Sequence, residues 1–139
     1  MIVLDTNVLS ELMRRAPDER VVRWMDHQPN TSLFTTAVTQ AEILYGVSIL
    51  PDGKRKHGLA PAVEAMFEQD FRARVLPFDG PAAVVFADLC AHRAHVGRPI
   101  SQFDAQIAAI ARSRGAALAT RNTPDFDECG IDVIDPWQA

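Results

Sequence analysis

Short apolar runs alternate with longer amphipathic stretches along this chain. Ile2–Leu4, Ser32–Thr35, Val75–Phe78, Ala117–Ala119 and Asp132–Ile134 are strand candidates, each brief, apolar or β-branched, and bounded by polar or turn-forming residues. Between them, apolar residues recur at helical spacing: Val8, Leu9, Leu12 and Met13; Ile43, Leu44, Val47 and Leu50; Leu59, Val63, Met66 and Phe67; Ala82, Val85, Phe86 and Leu89; and Phe103, Ile107, Ile110 and Ala111. Each set forms a single stripe, as expected of a helix that covers a sheet. The alternation predicts an α/β fold with a mainly parallel sheet.

Turn signals at Pro17-Asp18, Pro29-Asn30, Pro51-Asp52-Gly53, Gly80-Pro81, Gly97-Arg98-Pro99 and Gly115 separate elements rather than domains. With no linker, repeat or low-complexity tract, residues 1–139 are expected to form a single domain. The helix expected over Asp18 to His27 carries Val21, Val22, Trp24 and Met25, an apolar face broad for its length, suited to the core or to another chain.

Acidic residues punctuate this pattern where helices begin. Asp5 follows the first apolar run, while Glu42 and Asp104 are expected in the first turn of their helices. In open parallel sheets ligands bind along the carboxyl edge, where the helices that follow the strands begin. Thr120-Arg121-Asn122-Thr123-Pro124-Asp125 reaches the same edge. Carboxylates gathered there repel one another unless a cation joins them, and oxygen donors suit Mg²⁺ or Mn²⁺. Such a cation orients a phosphodiester, activates water and neutralises charge on the leaving oxygen, so phosphodiester hydrolysis is the expected reaction. Each acid also has a plain structural use. Asp5 can cap the first helix, and Thr39-x-x-Glu42 and Ser101-x-x-Asp104 both have the form of a capping box. Capping alone gives no reason for polar groups after several strands to share one locus.

Composition narrows the setting. A net charge of −4 argues against bulk electrostatic coating of nucleic acid, although basic clusters occur at Arg14-Arg15, at Lys54-Arg55-Lys56-His57 and along Arg112, Arg114 and Arg121. The two cysteines, Cys90 and Cys129, have no metal-ligand spacing and suit reduced thiols in a cytoplasmic protein. No run of apolar residues approaches the roughly 20 needed to span a bilayer, and no secretory signal is expected at the N-terminus, so no membrane association is predicted.

Four segments in order, Asp5-Thr6-Asn7-Val8-Leu9-Ser10-Glu11, Thr36-Ala37-Val38-Thr39-Gln40-Ala41-Glu42-Ile43-Leu44-Tyr45-Gly46, Asp104-Ala105-Gln106-Ile107-Ala108-Ala109 and Ala119-Thr120-Arg121-Asn122, resemble PIN-domain nucleases of the VapC/FitB-like toxin type. The resemblance runs from Met1 to Trp137. It implies a PIN-like, Rossmann-like three-layer sandwich: a mainly parallel five-stranded sheet with helices on both faces. It also implies a Mg²⁺- or Mn²⁺-dependent endoribonuclease, the toxin of a bacterial type II toxin–antitoxin pair. The expected partners are an RNA substrate, a VapB/FitA-like antitoxin and a second copy in a homodimer. A higher assembly with the antitoxin is also implied, with operator DNA contacted only through it.

Position by position, Asp5, Glu42 and Asp104 match the family's metal-binding acids. Thr6 and Asn7 match the polar pair beside the first acid and, with Thr120, are expected to orient carboxylates and water. The family's fourth acid falls at Asn122, which offers an oxygen without a charge. That departure predicts weaker metal binding; Asp125 either compensates or starts the turn before Phe126. Arg121 is expected to grip substrate phosphate.

Rival chemistries fit less well. Asp5-Thr6-Asn7 has a partial likeness to the Asp-x-Asp of haloacid-dehalogenase-like phosphatases, but Asn7 replaces the second acid and Lys54 and Lys56 are the only lysines. His27, His57, His92 and His95 sit in polar contexts without a Gly-x-Ser-x-Gly elbow. A binding role remains the alternative: a weakly active or inactive PIN protein serving a DNA-binding antitoxin in transcriptional autoregulation, because Asn122 lacks the acid's charge.

Overall fold

Strand β1 (Ile2–Leu4) sets the frame, because its alternating side chains feed two different cores. Val3 belongs to one buried cluster and Leu4 to the other. The computed structural model describes all of residues 1–139. Around β1 lie β2 (Leu33–Thr36), β3 (Val75–Leu76), β4 (Ala117–Ala119) and β5 (Val133–Ile134), in the spatial order β3-β2-β1-β4-β5. Every neighbouring pair is parallel. The expected strands are all present, with β2 displaced one residue toward the C-terminus and β3 ending at Leu76.

Six α-helices connect the strands: α1 (Thr6–Leu12), α2 (Glu19–Asp26), α3 (Ala37–Ser48), α4 (Lys54–Ala65), α5 (Gly80–His95) and α6 (Gln102–Ser113). A π-helical segment, Met66–Asp70, continues α4. Helices α5 and α6 cover one face of the sheet, where Leu89, Ala105, Ile107 and Ile110 pack with Val3 and Leu118. Residues from α1, α2 and α4 cover the other, where Val8, Leu9, Val21 and Val63 pack with Leu4, Ala119 and Trp137. Helix α3 contributes Val38 to the first cluster and Ile43 and Val47 to the second. Burying each large aliphatic side chain stabilises the fold by about 1.5–3 kcal/mol, so the two clusters lock the helices against the sheet from both sides.

Local signals explain the element ends that aim the site. Asp18 caps α2 by accepting from the Arg20 N–H at 2.9 Å, and Asp79 caps α5 by accepting from the Ala82 N–H at 3.1 Å. Gly115, at φ +65°, ends α6: its N–H donates to the Arg112 carbonyl and the Ala116 N–H to the Ala111 carbonyl. Those two bonds make a Schellman closure, which turns the chain directly into β4.

Two sequence expectations are corrected. The cap of α3 is Thr36, whose hydroxyl accepts from the Thr39 N–H at 3.0 Å, so Thr39 is already helical and Glu42 lies in the second turn rather than the first. Leu44 and Phe103, placed on apolar stripes, are 42% and 57% exposed. No helix is long and apolar enough to cross a membrane.

Candidate active site

The chain lays down β1, β2 and β3 in one direction, then returns to add β4 and β5 on the far side of β1. The reversal lies between β1 and β4, and it is beyond the carboxyl ends of such a strand pair that parallel sheets open a crevice. Register then fixes what meets there. Leu4 pairs with Ala119, so the next residues, Asp5 and Thr120, emerge side by side.

Asp5 caps α1. Its Oδ1 accepts from the Thr6 N–H at 2.8 Å, and its Oδ2 accepts from the Thr120 hydroxyl at 2.8 Å. Asn7 binds the same pair through Nδ2, at 3.1 Å from the Thr120 hydroxyl and 3.4 Å from Asp5 Oδ2. Its Oδ1 accepts from the Arg121 N–H at 3.2 Å, and the Thr120 hydroxyl accepts from the Asn122 N–H at 3.1 Å. The segment after β4 is thus fastened to the segment after β1 by side chains that also define the orientation of Asp5.

On the other side, the Thr6 hydroxyl donates to Glu42 Oε1 at 3.0 Å and lies 3.1 Å from the Thr39 hydroxyl. Asp104 stands in the first turn of α6, whose cap Ser101 accepts from the Asp104 N–H at 3.3 Å. Three elements therefore carry the three acids, Asp5 at the end of β1, Glu42 on α3 and Asp104 on α6.

Burial and repulsion between acids act on the three carboxyls in the same direction. Asp5 is only 4% exposed, and burial raises its pKa from the ordinary 3.8 to about 6. The bonds from Thr120 and Thr6 oppose that rise, while the charges of Asp104 and Glu42 add to it. Burial also raises the pKa of Glu42, with the Thr6 bond opposing and the charge of Asp104 adding. Asp104 is raised by burial too; the Ser101 bond opposes, Asp125 adds and Arg93 opposes. Repelling, partly desolvated carboxylates lower their energy by holding protons or by sharing a cation. The donor set is all oxygen and matches a hard divalent ion rather than a soft one. No three acid, histidine or cysteine side chains stand close enough together to hold a metal ion by themselves.

The remaining sequence candidates lie at the rim. Asn122 and Asp125 are exposed, on and beside the 3₁₀ segment Thr123–Phe126, and the Asp125 N–H donates to the Asn122 carbonyl at 3.0 Å. The Arg121 guanidinium lies over the Trp137 ring, 5.1 Å from its centroid, while its backbone joins the Asn7 network. A hollow of about 460 Å³ between α3 and α4 is lined by none of Asp5, Glu42 and Asp104, so concavity alone does not locate this site.

Arg93 was not legible as a site residue. It is 4% exposed, and its Nε donates to the Arg98 carbonyl at 2.6 Å. Its Nη1 donates to the carbonyls of Asp125 at 2.8 Å and Asp127 at 3.1 Å and lies 3.4 Å from Cys129 Sγ. Arg93 therefore holds the loop that carries Asp125 and places a buried positive charge near Asp104. The signal was its spacing: four residues beyond buried Leu89, it sits on the apolar stripe of α5.

Comparison with known proteins agrees with this architecture. Residues 2–130 match the PIN domain. The chain is 41% identical over 138 residues to VapC ribonuclease Y4jK of Sinorhizobium fredii, covering 99% of each. It is 39% identical over 137 residues to toxin FitB of Neisseria gonorrhoeae, again covering 99% of each. Its fold superposes on the crystal structure of FitAcB from Neisseria gonorrhoeae with a TM-score of 0.94, at 38% identity and with both chains fully covered.

Proposed function

The chain belongs to the PIN-domain family, and from that membership we propose that it is a divalent-metal-dependent endoribonuclease, the toxin of a bacterial type II toxin–antitoxin pair. One observation carries the reading: Asp5 lies buried at the switch point with its pKa at about 6, and the charges of Asp104 and Glu42, from separate elements, add to that rise. A purely structural cap gains nothing from repulsion by two other acids. The relatives' names, a ribonuclease and a toxin, point the same way.

Asp5, Glu42 and Asp104 would hold Mg²⁺ or Mn²⁺, with Asn122 offering a neutral oxygen and Asp125 a further charge from the rim. When bound, the cation supplies Lewis-acid activation of water and neutralises charge on the scissile phosphate and leaving oxygen. The chain's own work is orientation. Thr120 and the Thr6 N–H fix the two oxygens of Asp5, the Thr6 hydroxyl fixes Glu42, and Asn7 ties both sides of the crevice together. Arg121, anchored through its backbone and stacked on Trp137, provides a guanidinium for substrate phosphate.

In this reading the protein is one cytoplasmic domain that works as a homodimer and joins a larger assembly with a VapB/FitA-like antitoxin. DNA is contacted only through that partner. A groove of about 410 Å³ whose lining includes Leu9, Leu12, Met13, Met25, Met66 and Phe71 suits an apolar helical segment of the antitoxin. Trp24 is half-buried on the neighbouring α2.

Asn122 favours a second reading, in which the protein serves the antitoxin's DNA binding and cuts RNA poorly or not at all. Incubating the separated protein with defined RNAs, with and without Mn²⁺, distinguishes the two. Metal-dependent cleavage lost in Asp5→Asn supports the nuclease. Intact RNA, together with undiminished antitoxin binding, supports the second reading.

A further inference from the structure

A second concavity adjoins the acidic site. A groove of about 270 Å³ between α1, α3 and α4 shares Thr6 and Glu42 with that site and is also lined by Arg14, Arg55 and Gly46. Its lining carries two arginines, Arg14 and Arg55, against one acid, Glu42. Arg55 is exposed, and its guanidinium makes no hydrogen bond or ion pair within the chain. Arg14 holds buried Glu11 through Nη1, at 3.0 Å and 3.2 Å, but remains 65% exposed, with Nη2 unbonded.

Gly46 adds an independent observation. It lies inside α3, where glycine destabilises a helix relative to alanine. A Cβ built there meets no atom within 4 Å, so neither close packing nor backbone conformation requires glycine. The space its missing side chain leaves belongs to the groove.

We propose that this groove holds single-stranded RNA next to the scissile bond, with Arg14 and Arg55 gripping backbone phosphates and Gly46 leaving room for the strand. The proposal rests on the endoribonuclease reading and specifies its substrate path. An acidic site in a chain of net charge −4 repels a polyanion, so local cations must hold the substrate. Guanidinium groups suit this task because they bind phosphate oxygens in pairs. A concavity of this volume admits an unpaired segment rather than a duplex, and unpaired RNA is the form whose sugars and bases are open to contact.

Fluorescence anisotropy of a labelled, unstructured RNA oligonucleotide in EDTA, across a series of salt concentrations, tests the groove on the full chain. Arg55→Ala, which breaks no intrachain bond, should weaken binding about tenfold, the effect of losing one charge-assisted contact. It should also lower the slope of log affinity against log salt by about 0.7. Gly46→Leu should lose RNA affinity while melting no earlier than wild type. Both variants should retain the wild-type stabilisation by Mn²⁺. Unchanged affinity and slope in Arg55→Ala would overturn the groove assignment while leaving metal-dependent cleavage intact. Unchanged RNA affinity in Gly46→Leu with loss of a bound polypeptide partner would assign the groove to protein and overturn it equally. Absence of both RNA binding and cleavage by wild type would instead remove the endoribonuclease reading, and the groove proposal with it.

Discussion

The Thr120 hydroxyl donates to Asp5 Oδ2 across 2.8 Å, joining residues 115 positions apart in sequence. The contact follows from the parallel register of β1 and β4, which sets Leu4 beside Ala119 and so brings the residues that follow them together at the switch point. It also shapes the chemistry of Asp5: this bond lowers the pKa that burial raises.

The first consequence is a pH dependence of stability. Folded Asp5 keeps its proton to about pH 6, whereas an unfolded aspartate loses it near 3.8. Between those values the native state binds more protons, so stability falls as pH rises through this window. The contribution is fully present below about pH 4 and lost above about pH 6. The interval corresponds to about 3 kcal/mol. Urea unfolding of metal-free protein from pH 4 to pH 7.5 should show this decline, and Asp5→Asn should flatten it. Thr120→Val, by removing a bond to the carboxylate, should move the midpoint to higher pH. A wild-type profile matching Asp5→Asn would mean that Asp5 is not held under this strain.

Arg93 should matter chiefly for the loop after β4. Replacing it with methionine keeps much of the side-chain volume but leaves the carbonyls of Arg98, Asp125 and Asp127 without their donor. The expected loss is about 3 kcal/mol or more, because charge-assisted hydrogen bonds near 1.5–3 kcal/mol are removed together. Arg93→Lys should recover little, since an ammonium does not reproduce the fork of donors. Chemical unfolding measures this, and a loss below about 1 kcal/mol would contradict the assigned role.

How much of this was legible in the sequence varied by residue. β1 and β4 were, because Ile2–Leu4 and Ala117–Ala119 are apolar runs between polar boundaries. The exposure of Leu44 and Phe103 was not, because periodicity defines a stripe without saying which of its edges a neighbour covers. The cap of α3 was misplaced because Thr36 and Thr39 are equally able to cap, and only the extended backbone at Thr36, φ −124° and ψ 158°, decides between them. Asp5 was identifiable as an acid at the end of a strand, and Glu42 and Asp104 as acids near the starts of their helices. The Thr6 bond to Glu42 and the Arg93 clamp depend on tertiary packing that no local pattern encodes.

Asn122 offers a test by restoration. Asn122→Asp adds a carboxylate at the rim, where Asp125 already raises the pKa of Asp104. If the segment after β4 contributes to metal binding, Asn122→Asp should tighten Mn²⁺ binding several-fold and Asp125→Ala should weaken it by a similar factor. Calorimetric titration reads both. Unchanged affinity in both variants would place Asn122 and Asp125 outside the metal site.

Metal should also stabilise the fold by mass action. With free Mn²⁺ at 100 times its dissociation constant, the gain is about 2.7 kcal/mol. Asp5→Asn/Asp104→Asn should abolish it, whereas a surface change such as Glu64→Gln should not. Equal thermal shifts in wild type and the double variant would remove the shared acidic site.

The most direct measurement of the central claim is mass spectrometry of cleaved RNA ends. If water attacks phosphorus at a metal-loaded site, the products carry 5′-phosphate and 3′-hydroxyl groups. Formation of these ends should require Mg²⁺ or Mn²⁺. Asp5→Asn, Glu42→Gln and Asp104→Asn should each slow it by orders of magnitude without unfolding the protein. Ends bearing 2′,3′-cyclic phosphate, or undiminished cleavage in EDTA, would show that the three acids are not the catalytic centre.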